Sequence, residues 1–133
     1  MAINNPYQAY QQNSVGTASP GELTLMLYNG CLKFIKQASK AIEDSNIEDK
    51  NTNIQKANKI ISELMLTLNM DLEISKEMQV MYDYMSYRLI EANTKNDVEI
   101  LEEVEGYVVD FRDTWKQVIQ TSRQQQFGMG GHA

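Results

Sequence analysis

From Leu23 onward, apolar residues return every three or four positions along most of the chain. Between 97 and 123 they are Leu101, Val104, Val108, Phe111, Trp115 and Val118. That alternation lays one stripe along one side of an α-helix. Ile47, Ile54, Ala57, Ile61, Leu64 and Leu68 repeat it between 46 and 70. Leu23, Leu27, Cys31, Phe34, Ala38 and Ala41 do so between 20 and 43, and Met78, Met81, Tyr82, Met85, Leu89 and Ala92 between 75 and 94. The pattern predicts four helices over 20–43, 46–70, 75–94 and 97–123.

Capping chemistry marks their starts. Ser19-Pro20-Gly21-Glu22 offers a cap, a proline suited to the first helical position and an acid three residues on. Ser45-Asn46-Ile47-Glu48 and Asn96-Asp97-Val98-Glu99 repeat the box, and Ser75 is a weaker start. Pro6 and Pro20 are the only prolines, so nothing interrupts a helix after residue 20. The short connections favour antiparallel neighbours. The expected fold is all-α: an antiparallel four-helix bundle over 19–123. An extended or partly helical N-terminal segment, 1–18, precedes it and a flexible glycine-rich tail, 124–133, follows. Gly30, inside the first helix, costs about 1 kcal/mol against alanine and is expected to permit a close helix contact.

Composition narrows the function. A chain of 133 residues suits one domain, with a core that takes up about two thirds of the unfolded surface. Eighteen acidic against twelve basic residues give a net charge of -6. No basic stripe is present, which argues against nucleic acid. No apolar run reaches about 18 residues, so no membrane insertion is expected. The N-terminus lacks a basic stretch followed by an apolar one, so a secretory signal is not expected. Cys31 is the single cysteine and cannot form an intrachain disulfide. The cytoplasm is the expected compartment.

Catalytic candidates are few. His132, the one histidine, is next to last. Metal sites built from Glu-x-x-His pairs on facing helices therefore have no source. Cys31 lies on the core arc and reads as a small buried apolar residue. Glu102, Glu103 and Glu105 flank the seam residue Val104 and read as a solvated face. Gly128, Gly130 and Gly131 open no helix and make no phosphate loop. No enzyme activity, cofactor or metal is expected.

What stands out is surplus apolar surface. Val80, Tyr84 and Tyr87 fall opposite the third helix's main stripe. Leu25, Tyr28 and Leu32 widen the arc of the first helix, and Leu66 and Met70 leave the stripe of the second. Either these residues pack against the ends of the chain, or they form grooves for another chain's helices. Eight methionines suit an adaptable surface as well as a core. The leader MAINNPYQAYQQNSV places Tyr7, Tyr10 and Val15 among soluble amides. It reads as a displaceable flap over such a groove or as a permanent strap.

The stretches NPYQAYQQNSV, SPGELTLMLYNGCLKFI, YDYMSYRLIEAN and EVEGYVVDFRDTWKQ, in this order, resemble the flagellin export chaperone family FliS. The resemblance covers about residues 5–120. It implies a cytoplasmic helical bundle that binds the C-terminal segment of flagellin and prevents its premature polymerisation. It also implies delivery to the flagellar type III export apparatus. The N-terminal tyrosines, the stretch 25–30 and the region 82–87 are family features. The partner-binding residues expected from the helical wheel are Tyr7, Tyr10, Val15, Leu25, Tyr28, Leu32, Leu66, Val80, Tyr84 and Tyr87. The protein is expected to be a monomer or weak homodimer. The competing expectation is a non-catalytic helical bundle whose surplus apolar face serves self-association.

Overall fold

The computed structural model describes residues 19–131, without the side chains of residues 20 and 122–131. Four helices occupy this span: α1 (Pro20–Glu43), α2 (Ile47–Leu66), α3 (Glu73–Lys95) and α4 (Val98–Gly131). Each packs against its chain neighbours, and α1 closes the ring against α4. This is the antiparallel bundle predicted from the periodicity.

The helix starts follow side-chain chemistry, with shifts of one or two residues. Ser19 caps α1, its Oγ accepting from the Glu22 amide at 3.2 Å. At α2 the cap is Asn46, not Ser45: Asn46 Oδ1 accepts from the Asp49 amide at 3.0 Å. Ser45 takes a positive φ of 56° in the connection. At α4 the cap is Asp97, whose carboxylate accepts from the Glu99 amide at 2.9 Å. Asn96 instead closes α3 in the left-handed conformation that asparagine tolerates. Ser75 is a buried residue inside α3, which begins at Glu73 without a side-chain cap.

Two helix ends also differ from the prediction. α2 stops at Leu66, not near 70. The Thr67 hydroxyl donates to the Leu64 carbonyl at 2.6 Å, and Asn69 folds the chain back by accepting from the Asp71 amide at 3.1 Å. Such side-chain bonds compete with helix continuation. α4 runs on to Gly131, past the predicted end near 123. The added stretch starts with three glutamines, good helix formers, and no proline stops it.

The core is one cluster. α1 contributes Leu27, Tyr28, Cys31, Leu32, Phe34, Ile35 and Ala38; α2 contributes Ile54, Ala57, Ile60, Ile61 and Leu64. Tyr82, Met85, Leu89 and Ala92 of α3 meet Ile100, Leu101, Val104 and Val108 of α4. Burying one such leucine or isoleucine side chain contributes about 1.5–3 kcal/mol. Three seam assignments are corrected. Ile47, at the first position of α2, and Val118 of α4 are exposed. Trp115 is partly buried at the core's edge, and its indole Nε1 donates to the Gly21 carbonyl at 2.8 Å. Trp115 therefore joins the first turn of α1 to α4.

Candidate functional site

The outward face of α3 is the main apolar surface without a partner helix. Tyr82, Met85 and Leu89 turn into the core, so Val80, Tyr84 and Tyr87, rotated about half a turn away, face outward. Val80 is 67% exposed and Tyr87 62%. Nothing among the described residues covers or hydrogen-bonds the Tyr87 side chain. Tyr84 is also exposed but oriented: its hydroxyl donates to Glu103 Oε2 at 2.8 Å. Its ring stands edge-on to Tyr107, with centroids 6.2 Å apart.

Beneath Tyr84 an ionic network ties α3 to α4. Arg88 Nε donates to Glu103 Oε1 at 2.7 Å, and Arg88 Nη1 donates to Glu91. Lys95 Nζ donates to Glu91 Oε2 at 2.8 Å. The Arg88 bond, then the Tyr84 bond, holds the Glu103 carboxyl below its ordinary range. The Glu103 bond in turn pushes the Tyr84 phenol up. The network holds the Tyr84 hydroxyl and links α3 to α4 through Glu103, while charged Lys76, Glu77 and Asp83 interleave with the exposed apolar residues. Glu103 is thus paired, not merely solvated as the sequence suggested.

Further exposed apolar residues lie at the α2–α3 connection. Leu66 is 79% exposed, and Met70, Leu72 and Ile74 are exposed beside it in the chain. Leu66 and Met70 were expected from the helical wheel. Leu72 and Ile74 were missed because they precede or begin a helix, where periodicity has no register. Ile90, also exposed on α3, was missed as well. It falls between the two stripes, and only the exposure of the folded chain distinguishes it.

The α1 residues behave differently. Tyr28 and Leu32 are buried in the core, and Leu25 is partly buried. Helix α1 packs more extensively against α2 and α4 than α3 does against its two neighbours, so its buried arc is wider than one stripe. The structure therefore does not join Tyr28 and Leu32 to the α3 face. Tyr28 meets α3 from inside, its hydroxyl 2.7 Å from that of Tyr82. Tyr7, Tyr10 and Val15 lie outside the described residues, as does His132.

Cys31 is fully buried, with its Sγ donating to the Ala57 carbonyl at 3.8 Å. Burial pushes the thiol up to about 12, far from a ready thiolate. Among the described residues no group of histidine, cysteine and acidic side chains could hold a metal ion. No helix among them is long and apolar enough to cross a membrane.

Comparison with known proteins gives consistent results. The family model "Flagellar protein FliS" matches residues 3–122. The flagellar secretion chaperone FliS of Bacillus subtilis is 63% identical over 133 residues, spanning all of both chains. That of Escherichia coli is 35% identical over 117 residues, covering 83% of this chain and 86% of its own. A crystal structure of a bacterial flagellar chaperone superposes with a TM-score of 0.72 at 20% identity, over 86% of this chain and 95% of that one. At that identity the superposition bears on the fold alone.

Proposed function

The chain belongs to the FliS family of flagellar secretion chaperones, and from that premise we propose that it binds the C-terminal segment of flagellin. By this reading it keeps that segment from polymerising and delivers it to the flagellar type III export apparatus, in the cytoplasm and without catalysis. The observation that carries the reading is the exposure of Val80, Tyr84 and Tyr87 on the outward side of α3, together with exposed Leu66, Met70, Leu72 and Ile74 at the α2–α3 connection. Large apolar side chains left exposed in such numbers mark an interaction site. A surface shaped by helices suits an amphipathic helix laid along it. The client gains helix on docking, and ordering it offsets about 2–5 kcal/mol of the gross interaction energy. The leader, with Tyr7, Tyr10 and Val15, acts as a flap that leaves when the client arrives.

The test is calorimetric titration of the full chain with a flagellin C-terminal peptide, followed by circular dichroism. The expected result is a negative heat-capacity change and added helix. Val80→Asp with Tyr87→Asp should weaken binding at least tenfold, about 1.4 kcal/mol, while the bundle melts normally because both positions are exposed. Unchanged affinity in that variant refutes the assigned surface. Self-association through the same face is the second reading. It predicts instead that the variant dissociates a homodimer in sedimentation and that the wild type ignores the peptide.

A further inference from the structure

At the end of the bundle opposite the α2–α3 connection, the start of α2 meets the end of α3. Lys50 is only 5% exposed there. Its Nζ donates to the Asn93 carbonyl at 2.9 Å and to the Asn96 side-chain oxygen. Both acceptors are neutral, and among the described residues no carboxylate pairs with this ammonium. Asp49, on the same first turn of α2, is engaged by the Asn46 amide at 2.9 Å. Buried cations are ordinarily matched by an anion. Here the carbonyl end of α3 supplies only the partial negative charge of a helix terminus. Of the three N–H donors of an ammonium, two are used.

Beside Lys50 is a cavity of about 220 Å³. Ala41, Ile42 and Ile47 form its apolar wall, and Ser45, Asn46 and Asn96 its polar part. The space exceeds that of several water molecules, at about 30 Å³ each. An unmatched ammonium, a hydroxyl and amides beside an aliphatic wall suit one chemistry: a carboxylate on a short aliphatic stem. We propose that this cavity is a carboxylate-binding site in which Lys50 supplies the charge, and Ser45 and Asn96 the accompanying hydrogen bonds. The α2 N-terminus, opening on the same cavity at Asn46 and Ile47, favours the same sign of ligand. The ligand is a glutamate or aspartate side chain of a protein partner, or a free small carboxylate. The site is independent of the α3 face.

The experiment uses the full chain labelled with nitrogen-15. It is titrated with sodium acetate against sodium chloride at constant ionic strength, and separately with the blocked tripeptide acetyl-Ala-Glu-Ala-amide. Saturable shifts confined to the amides of residues 45–50 and 96 are expected with at least one probe. A response to acetate alone identifies a free small carboxylate, and a response to the peptide a partner's side chain. Lys50→Met should weaken the response at least tenfold. Because that change also removes the bonds to α3, Ile47→Glu provides a second test. It sits at an exposed position one turn before Lys50, so the protein should fold, and its tethered carboxylate should suppress the titration. The proposal is overturned by shifts that stay linear with both probes, that spread equally to Lys33, Lys36 and Lys59, or that persist unchanged in Ile47→Glu.

Discussion

Tyr28 and Tyr82 meet inside the bundle with their hydroxyl oxygens 2.7 Å apart, and replacing Tyr82 with phenylalanine strands the other hydroxyl. A buried polar group left without its partner costs about 1–3 kcal/mol. The phenylalanine ring can keep the edge-on contact with Phe111, whose centroid lies 5.5 Å away, so the lost packing is only that of one oxygen. Tyr28→Phe strands Tyr82 in the same way and should cost a similar amount. The double variant removes both hydroxyls, leaves nothing unsatisfied, and should cost less than about 1 kcal/mol. With each single at about 2 kcal/mol and the double below about 1, the cycle predicts a coupling of about 3 kcal/mol between the two positions. Urea unfolding followed by circular dichroism measures it, provided the slope with denaturant stays constant across the four proteins. A double variant whose loss equals the sum of the singles within about 0.5 kcal/mol refutes the reasoning. The pH dependence supplies a second check. Burial raises both phenols above their ordinary value of 10, with the neighbouring tyrosine adding to the shift at Tyr82. A raised folded value means that the neutral form stabilises the fold. That stability is fully present below pH 10 and is lost as pH rises above it. The double phenylalanine variant should lose less stability above pH 10 than the wild type.

Gly106 sits on the exposed side of α4, and a Cβ built on it meets nothing within 4 Å. Gly106→Ala should therefore stabilise the protein by about 0.5–1 kcal/mol in the same melt; a loss of stability would show that the position needs glycine. Glu103 is held below its ordinary 4.5 by Arg88 and Tyr84, so its contribution is present above pH 4.5 and lost as pH falls through the lowered value. Glu103→Gln should flatten acid unfolding below pH 4.5, and an unchanged acid limb contradicts the network. Trp115 is only partly buried, so Trp115→Ala should cost about 2 kcal/mol, below the 3–5 typical of a fully buried tryptophan. Trp115→Phe should cost about 1, chiefly the bond to Gly21.

The number of helices, their order and their buried sides were legible along the chain, because apolar spacing and capping residues are local properties. The α3 stripe is an example: Tyr82, Met85, Leu89 and Ala92 are all buried, and Val80, Tyr84 and Tyr87 all exposed. The family was legible too, in the stretches of residues 5–120. Exact caps were not, since neighbouring polar residues compete for the same amides, and the geometry of each connection selected Asn46 over Ser45 and Asp97 over Asn96. Burial of Tyr28 and Leu32 was not legible either. A helical wheel gives direction but not how closely neighbours pack, and α1 packs more extensively than α3, which widens its buried arc. The same limit hid the pairing of Tyr28 with Tyr82, 54 residues apart, and the enclosure of Lys50 by the end of α3. Sequence by itself determined the fold class, the family and which side of each helix turns inward. Only the tertiary structure decided which outward residues stay uncovered and which polar groups meet, because both depend on distances between segments remote in the chain.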